Sequence, residues 1–156
     1  MKQFIKDTPL LGPMAVKIYR TWINPPKQIE SSQAYWIDRY ESNGNSGSGS
    51  YQKLAEFKAT TINDLVGKEE IRTVIEYGSG DGAQLRLAKY PSYIGFDVSP
   101  RAIEMCATAF SSDPTKAFCE MGDYAGERAG LTLSLDVLYH LIEDHVFVDY
   151  AHRLFD

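Results

Sequence analysis

Val74-Ile-Glu-Tyr-Gly-Ser-Gly-Asp-Gly82 decides how the rest of this chain is read. A short β-branched run passes straight into a turn with glycines at 78, 80 and 82, where the backbone can fold tightly and approach a ligand that side chains would exclude. Asp97 closes the next strand 19 residues after Gly78. A carboxylate at the end of that strand can accept hydrogen bonds from both hydroxyls of a ribose.

Working outward, residues 73–77 read as a strand, 83–89 as a helix, 93–97 as a strand and 100–110 as a helix, with Ser99 as its N-cap and Pro100 at its first position. This βαβα order is the signature of a parallel sheet with right-handed crossovers. Residues 116–120 make a third strand and 131–136 a fourth, followed by a helix over 140–155 with Leu141, Phe147, Val148, Ala151 and Leu154 on one face. Upstream, residues 51–66 suit an amphipathic helix that Gly67 would cap.

The first fifty residues are of another kind. Residues 10–23 form a short amphipathic stretch ended by Asn24-Pro25-Pro26, residues 31–40 show helical spacing, and residues 41–50 are rich in glycine and serine. That run cannot pack by itself, so it reads either as a connector or as a flap whose backbone can lie close to a ligand. The expected organisation is an N-terminal helical lid and flap over 1–50 and a nucleotide-binding domain over 51–156.

Bulk properties exclude several classes. The chain has 156 residues, 44% hydrophobic and 24% charged, enough for one domain with a real core. A net charge of -5 gives no general attraction to nucleic acid or anionic membranes. Cys106 and Cys119 form no closely spaced pair, and no window approaches a membrane span, so reduced thiols and a cytoplasmic location are expected. A metal site at His140, Glu143, Asp144 and His145 is rejected, because residues five apart on a helix diverge.

Residues 78–83 also satisfy G-x-G-x-x-A, since Ala83 follows Gly80 by three, so a nicotinamide-dependent oxidoreductase has to be weighed. Glu76 argues against it: a carboxylate two residues before the first glycine suits an ammonium group and gains nothing from a pyrophosphate. So do the roughly seventy residues that precede the loop, since a dinucleotide site normally opens its domain.

Residues 74–82 resemble motif I of class I S-adenosylmethionine-dependent methyltransferases, and Ile94-Gly-Phe-Asp-Val-Ser99 resembles the segment that follows it. Gly122-Asp123-Tyr124 and residues 133–141 are similar to the next two motifs. The pattern Tyr35-Trp-Ile-Asp-Arg-Tyr40, Asn45-Ser-Gly-Ser-Gly-Ser-Tyr51 and Asp81-Gly-Ala-Gln84 is similar to a group of small bacterial methyltransferases. The resemblance implies an α/β, Rossmann-like, doubly wound and mainly parallel sheet, incomplete relative to the seven-stranded methyltransferase fold. It makes residues 41–50 a ligand-covering flap.

It further implies S-adenosylmethionine as cofactor and transfer of a methyl group to a small-molecule or saccharide acceptor, the alternative being a cofactor-binding fragment without turnover. Glu76, Gly78, Ser79, Gly80 and Gly82 would hold the methionine part, Asp97 the ribose, and Val98, Asp123 and Tyr124 the adenine. Asp136 and Tyr139 would border the sulfonium and the acceptor. His140 is the candidate general base, since imidazole titrates near neutrality, although a histidine there can equally cap or pack a helix. A chain ending after the fourth strand would expose an apolar edge, so either a truncated protein or a homo-oligomer covering that edge is expected.

Overall fold

The computed structural model describes residues 29–155. The stretches 10–23 and 24–26 singled out above lie outside the described residues. From Ser31 onward these residues form one compact unit.

Four strands, β1 (Thr73–Tyr77), β2 (Ser92–Asp97), β3 (Lys116–Glu120) and β4 (Leu131–Leu133), build one sheet in the order β3-β2-β1-β4. Every pairing is parallel, with Thr73 opposite Ser92, Val74 opposite Leu131 and Tyr93 opposite Lys116. This is the expected doubly wound α/β architecture.

Alternation along β1 assigns its residues to two layers. Val74 faces a core of Ile62, Val66, Leu85, Tyr90, Tyr93 and Leu133, while Ile75 and Tyr77 face a second core with Phe96 and Tyr150. Helix α2 (Gln52–Lys68) covers the first face with the buried stripe Ala55, Ala59, Ile62 and Val66, spaced as a helix requires. Helix α4 (Asp144–Phe155) covers the second through Tyr150 and Leu154.

Two helix starts follow directly from their caps. Ser31 Oγ accepts a hydrogen bond from the Ala34 N–H at 3.0 Å to open α1 (Ser32–Glu41). Ser99 Oγ does the same for Ala102 at 3.3 Å to open α3 (Pro100–Ala109), with Pro100 in its first turn.

Four local expectations are corrected. Gly67 lies inside α2; the stop is made by Glu70 at φ 50°, with the Ile71 N–H donating to Val66 O and the Glu70 N–H to Gly67 O, so a non-glycine residue takes the left-handed position. The helix expected over 83–89 shrinks to one 3-10 turn, Leu85–Leu87. Its backbone groups are taken by Asn63 of α2, which donates to Leu87 O at 2.9 Å and accepts from the Lys89 N–H at 2.8 Å.

The fourth strand ends at Leu133 rather than at 136, because Asp136 turns the chain at φ 61°. The last helix begins at Asp144, not at His140, which lies on a separate 3-10 turn, Leu138–His140. Ser32 holds the two apart: its hydroxyl accepts from the Ile142 N–H at 2.9 Å and donates to the Glu143 carboxylate at 2.5 Å. Among the described residues no helix is long and apolar enough to cross a membrane.

Candidate functional site

The chain leaves β1 for β2 and β3 on one side and returns to β4 on the other, so the sheet reverses its winding between β1 and β4. In open α/β sheets ligands bind outside the carboxyl ends of the strands at such a switch point. Gly78 ends β1 there, and Val137, just after β4, packs so closely that a Cβ on Gly78 would lie 2.4 Å from it.

The glycine loop is a rigid cradle. Gly78, Gly80 and Gly82 all have positive φ, between 60° and 86°, which other residues adopt only under strain. The Gly78 and Ser79 N–H groups donate to Phe96 O at 2.7 and 3.0 Å, and the Gly80 N–H donates to Asp97 Oδ2 at 2.9 Å. The loop is thereby stitched to the end of β2.

Asp97 is buried, and burial raises its pKa although it accepts from the N–H groups of Ser99, Gly80 and Val98. Glu76 is also buried, on the same face as Val74, and accepts from the Tyr93 hydroxyl at 2.7 Å. Burial pushes its carboxyl up to about 7, against the opposing influence of the Tyr93 hydrogen bond and the Lys58 cation. Two acids held in the interior at a sheet's carboxyl edge are expensive unless a ligand uses them.

The flap closes over this cradle. Ser46 Oγ accepts from the Asp81 N–H at 3.0 Å and bonds the Tyr40 hydroxyl at 2.9 Å, while the Ser46 N–H donates to Asp81 Oδ2 at 3.0 Å. The Tyr51 hydroxyl donates to the same oxygen at 2.5 Å. Burial opposes ionisation of Asp81, but the hydrogen bonds from Tyr51, Ser46 and Ala83 prevail and hold its carboxyl below the usual range. Gly80 has no room for a side chain, since a Cβ would stand 2.2 Å from Ser46 Oγ.

At the β4 side, Asp136 pairs with Lys58 of α2 at 2.5 Å. A Cβ on Gly49 of the flap would stand 2.2 Å from its Oδ2. His140 follows, with its ring edge-on to Trp36 at 5.0 Å and 4.4 Å from the Tyr139 ring. Burial lowers the His140 pKa, against the raising influence of Asp136. Tyr139 is mostly exposed.

The residues singled out from the sequence thus fall into three places. Glu76, Gly78, Ser79, Gly80, Gly82 and Asp97 come together at the β1–β2 edge, and Asp136, Tyr139 and His140 gather after β4. Val98 follows Asp97 directly, and Asp123 is exposed on the 3-10 turn after β3. Tyr124 lies against Tyr77 and Phe96, with ring centroids 5.7 and 5.6 Å away, so its ring packs in the second core.

Sequence reasoning did not single out Lys58 or Tyr93, and it met Ser46 and Tyr51 only as members of the Asn45–Tyr51 pattern, with no partner assigned. Lys58 carried a signal: it is a charge beside the inward stripe of α2, three residues after Ala55 and four before Ile62. Tyr93 could be found only from register, being opposite Val74 and thus on the face of Glu76.

No family model and no curated protein sequence matches the chain. Solved structures do. The methyltransferase domain of the bacterial CtHen1-CN is similar at a TM-score of 0.58 and 18% identity, over 67% of this chain and 61% of that one. The S-adenosylhomocysteine-bound methyltransferase PaMTH1 of Podospora anserina is similar at 0.50 and 9%, over 94% and 66%. The plantazolicin methyltransferase BpumL, in complex with a monoazolic desmethylPZN analog and S-adenosylhomocysteine, is similar at 0.50 and 14%, over 99% and 56%. The chain spans roughly three fifths of the length of these structures. Its fold is that of the class I methyltransferases, with a four-stranded sheet that is incomplete relative to the full fold.

Proposed function

We propose that this chain is an S-adenosylmethionine-dependent methyltransferase acting on a small-molecule or saccharide acceptor. The observation that supports it most is the pairing of buried Glu76 with buried Asp97 on either side of the Gly78–Gly82 cradle, at the switch point of the sheet.

The residues fit the cofactor. Glu76 and the cradle offer a carboxylate and close backbone approach to the methionine end, and Asp97 offers acceptors for a ribose. On this reading Val98, Asp123 and Tyr124 would hold the adenine, and Asp136 and Tyr139 would border the transfer cleft. When bound, the cofactor supplies an activated methyl group, so the protein has chiefly to align the acceptor and take up a proton. His140 suits the second task, because its lowered pKa keeps it neutral at physiological pH. Ser46 and Gly49 lie over the cradle and against Asp136, so the flap has to open and reclose for exchange.

The nicotinamide reading loses ground for a physical reason. A pyrophosphate is held by the N-terminus of the helix after the glycine loop, whereas only the turn Leu85–Leu87 follows here and the ionised Asp81 stands before it. A cytoplasmic enzyme without nucleic-acid or membrane partners accords with the net charge of -5. A second copy pairing along β4 remains part of the proposal, to be checked by light scattering.

Calorimetric titration with S-adenosylmethionine, S-adenosylhomocysteine and NAD, in parallel with a Glu76→Ala/Asp97→Ala double variant, tests the reading. Binding of the first two alone, lost in the variant, supports it, and NAD binding overturns it. Labelled methyl donor incubated with panels of small hydroxylated, amino and saccharide acceptors then finds the product.

A further inference from the structure

Lys58 stands where an amphipathic helix would ordinarily present an apolar residue, and its ammonium meets Asp136 Oδ2 at 2.5 Å with side chains 18% and 32% exposed. Partly buried pairs contribute little net stability, because desolvation offsets much of the attraction. The pair also holds a strained residue, since Asp136 is at φ 61° three residues after the end of β4. Three acids converge on the cleft: Glu76 in β1, Asp97 at the end of β2 and Asp136 in the turn that follows β4. Among the described residues Lys58 is the cation that forms an ion pair with one of them. It also stabilises the charged form of Glu76.

We propose that Lys58 sets how strongly the cleft prefers the cationic methyl donor over its neutral product, by cancelling the charge of Asp136 beside the switch point. The inference rests on the methyltransferase reading. Donor and product differ by one positive charge, that of the sulfonium, and this charge disperses as the methyl leaves. An unpaired carboxylate beside it would stabilise the ground state more than the transition state and slow the reaction. Lys58 removes that bias while Asp136 keeps its place in the wall of the cleft.

Calorimetry on the full chain with S-adenosylmethionine and S-adenosylhomocysteine tests this through the ratio of their dissociation constants, a readout that merely structural damage would leave unmoved. Lys58→Met should shift the ratio about tenfold toward the donor, the effect of one partly screened charge. Asp136→Asn, with Lys58 intact, should shift it in the opposite direction by a similar factor and supplies the decision if Lys58→Met does not fold. A wild-type chain that binds both ligands with a ratio unmoved by either substitution, or moved in the reverse directions, overturns the role of Lys58 and leaves the enzyme reading standing. A wild-type chain that binds neither ligand overturns both.

Discussion

Replacing Glu76 with glutamine should make the protein more stable above neutrality and less able to hold its ligand. The carboxyl is buried at the end of β1, and its pKa rises from 4.5 to about 7 because burial disfavours the charge. A carboxylate whose pKa is higher folded than unfolded binds more protons in the native state across that interval. Its contribution to stability is therefore full below pH 4.5 and is lost as pH climbs through 7, amounting to about 3 kcal/mol. Glutamine is nearly isosteric, still accepts from the Tyr93 hydroxyl, and does not titrate.

Urea unfolding of wild type and Glu76→Gln between pH 4.5 and pH 8 reads this difference directly. Asp97, whose pKa is also raised, and Asp81, whose pKa is lowered, titrate in both proteins and largely cancel in the comparison. The variant should gain about 3 kcal/mol relative to wild type over that range. A second measurement joins the effect to function: a ligand whose ammonium meets Glu76 ionises it, so binding at pH 7 should release about half a proton per site. This appears as a dependence of calorimetric enthalpy on the ionisation enthalpy of the buffer. A parallel pH profile for the two proteins would refute the reasoning, because it would mean Glu76 is solvated or paired well enough to stay ionised.

Three further outcomes follow from the same geometry. Gly80→Ala should cost about 1–3 kcal/mol in urea unfolding, since φ is 60° and the new methyl would collide with Ser46 Oγ, and limited proteolysis should cut the displaced flap faster. Thiol titration at pH 8 should show two phases, with Cys119 reacting first, because Cys106 is fully buried, donates to Gly80 O at 3.2 Å and has its thiol pushed up to about 12; equal rates would count against the packing described. Tyr51→Phe should speed release of S-adenosylhomocysteine in stopped-flow measurements while leaving unfolding within about 1 kcal/mol, since it loosens the flap at Asp81 without touching the core.

Much of the fold was legible because β1, β2, β3 and α3 are written locally. Thr73–Tyr77 and Lys116–Glu120 were found at their observed bounds, and Ser99-Pro100 marked the start of α3. Two of the misses, at Gly67 and at the end of β4, turn on the left-handed residues Glu70 and Asp136, and the other two involve a backbone whose hydrogen bonds are taken by a distant side chain. Nothing within residues 83–89 reports that Asn63 of α2 will satisfy Leu87 O and the Lys89 N–H, nor does the stretch around His140 show that Ser32 will interrupt its helix. Helix propensity is a weak prior that such long-range partners override. The acids and glycines of the cradle were visible because each is required by its own loop. The pairings of Glu76 with Tyr93, Asp136 with Lys58 and Asp81 with Ser46 were not, because register and flap closure bring the partners in from 17, 78 and 35 residues away.

The flap can be argued one step further than composition allows. A glycine and serine run reads as a connector when its residues are interchangeable, but here two positions are individually determined. Ser46 makes three hydrogen bonds that span Tyr40 and Asp81, and Gly49 lies against the Asp136 carboxylate where no larger residue fits. The flap therefore touches both walls of the switch point, the glycine loop through Ser46 and the end of β4 through Gly49. Each of these contacts is polar or small, and none buries a large apolar side chain, so opening exposes little hydrophobic surface. Closure of that kind is inexpensive to reverse, which accords with the proposed methyltransferase function, in which the flap would release one nucleoside and admit another in each cycle. Enlarging Gly49 would accordingly disturb ligand exchange before it disturbed folding.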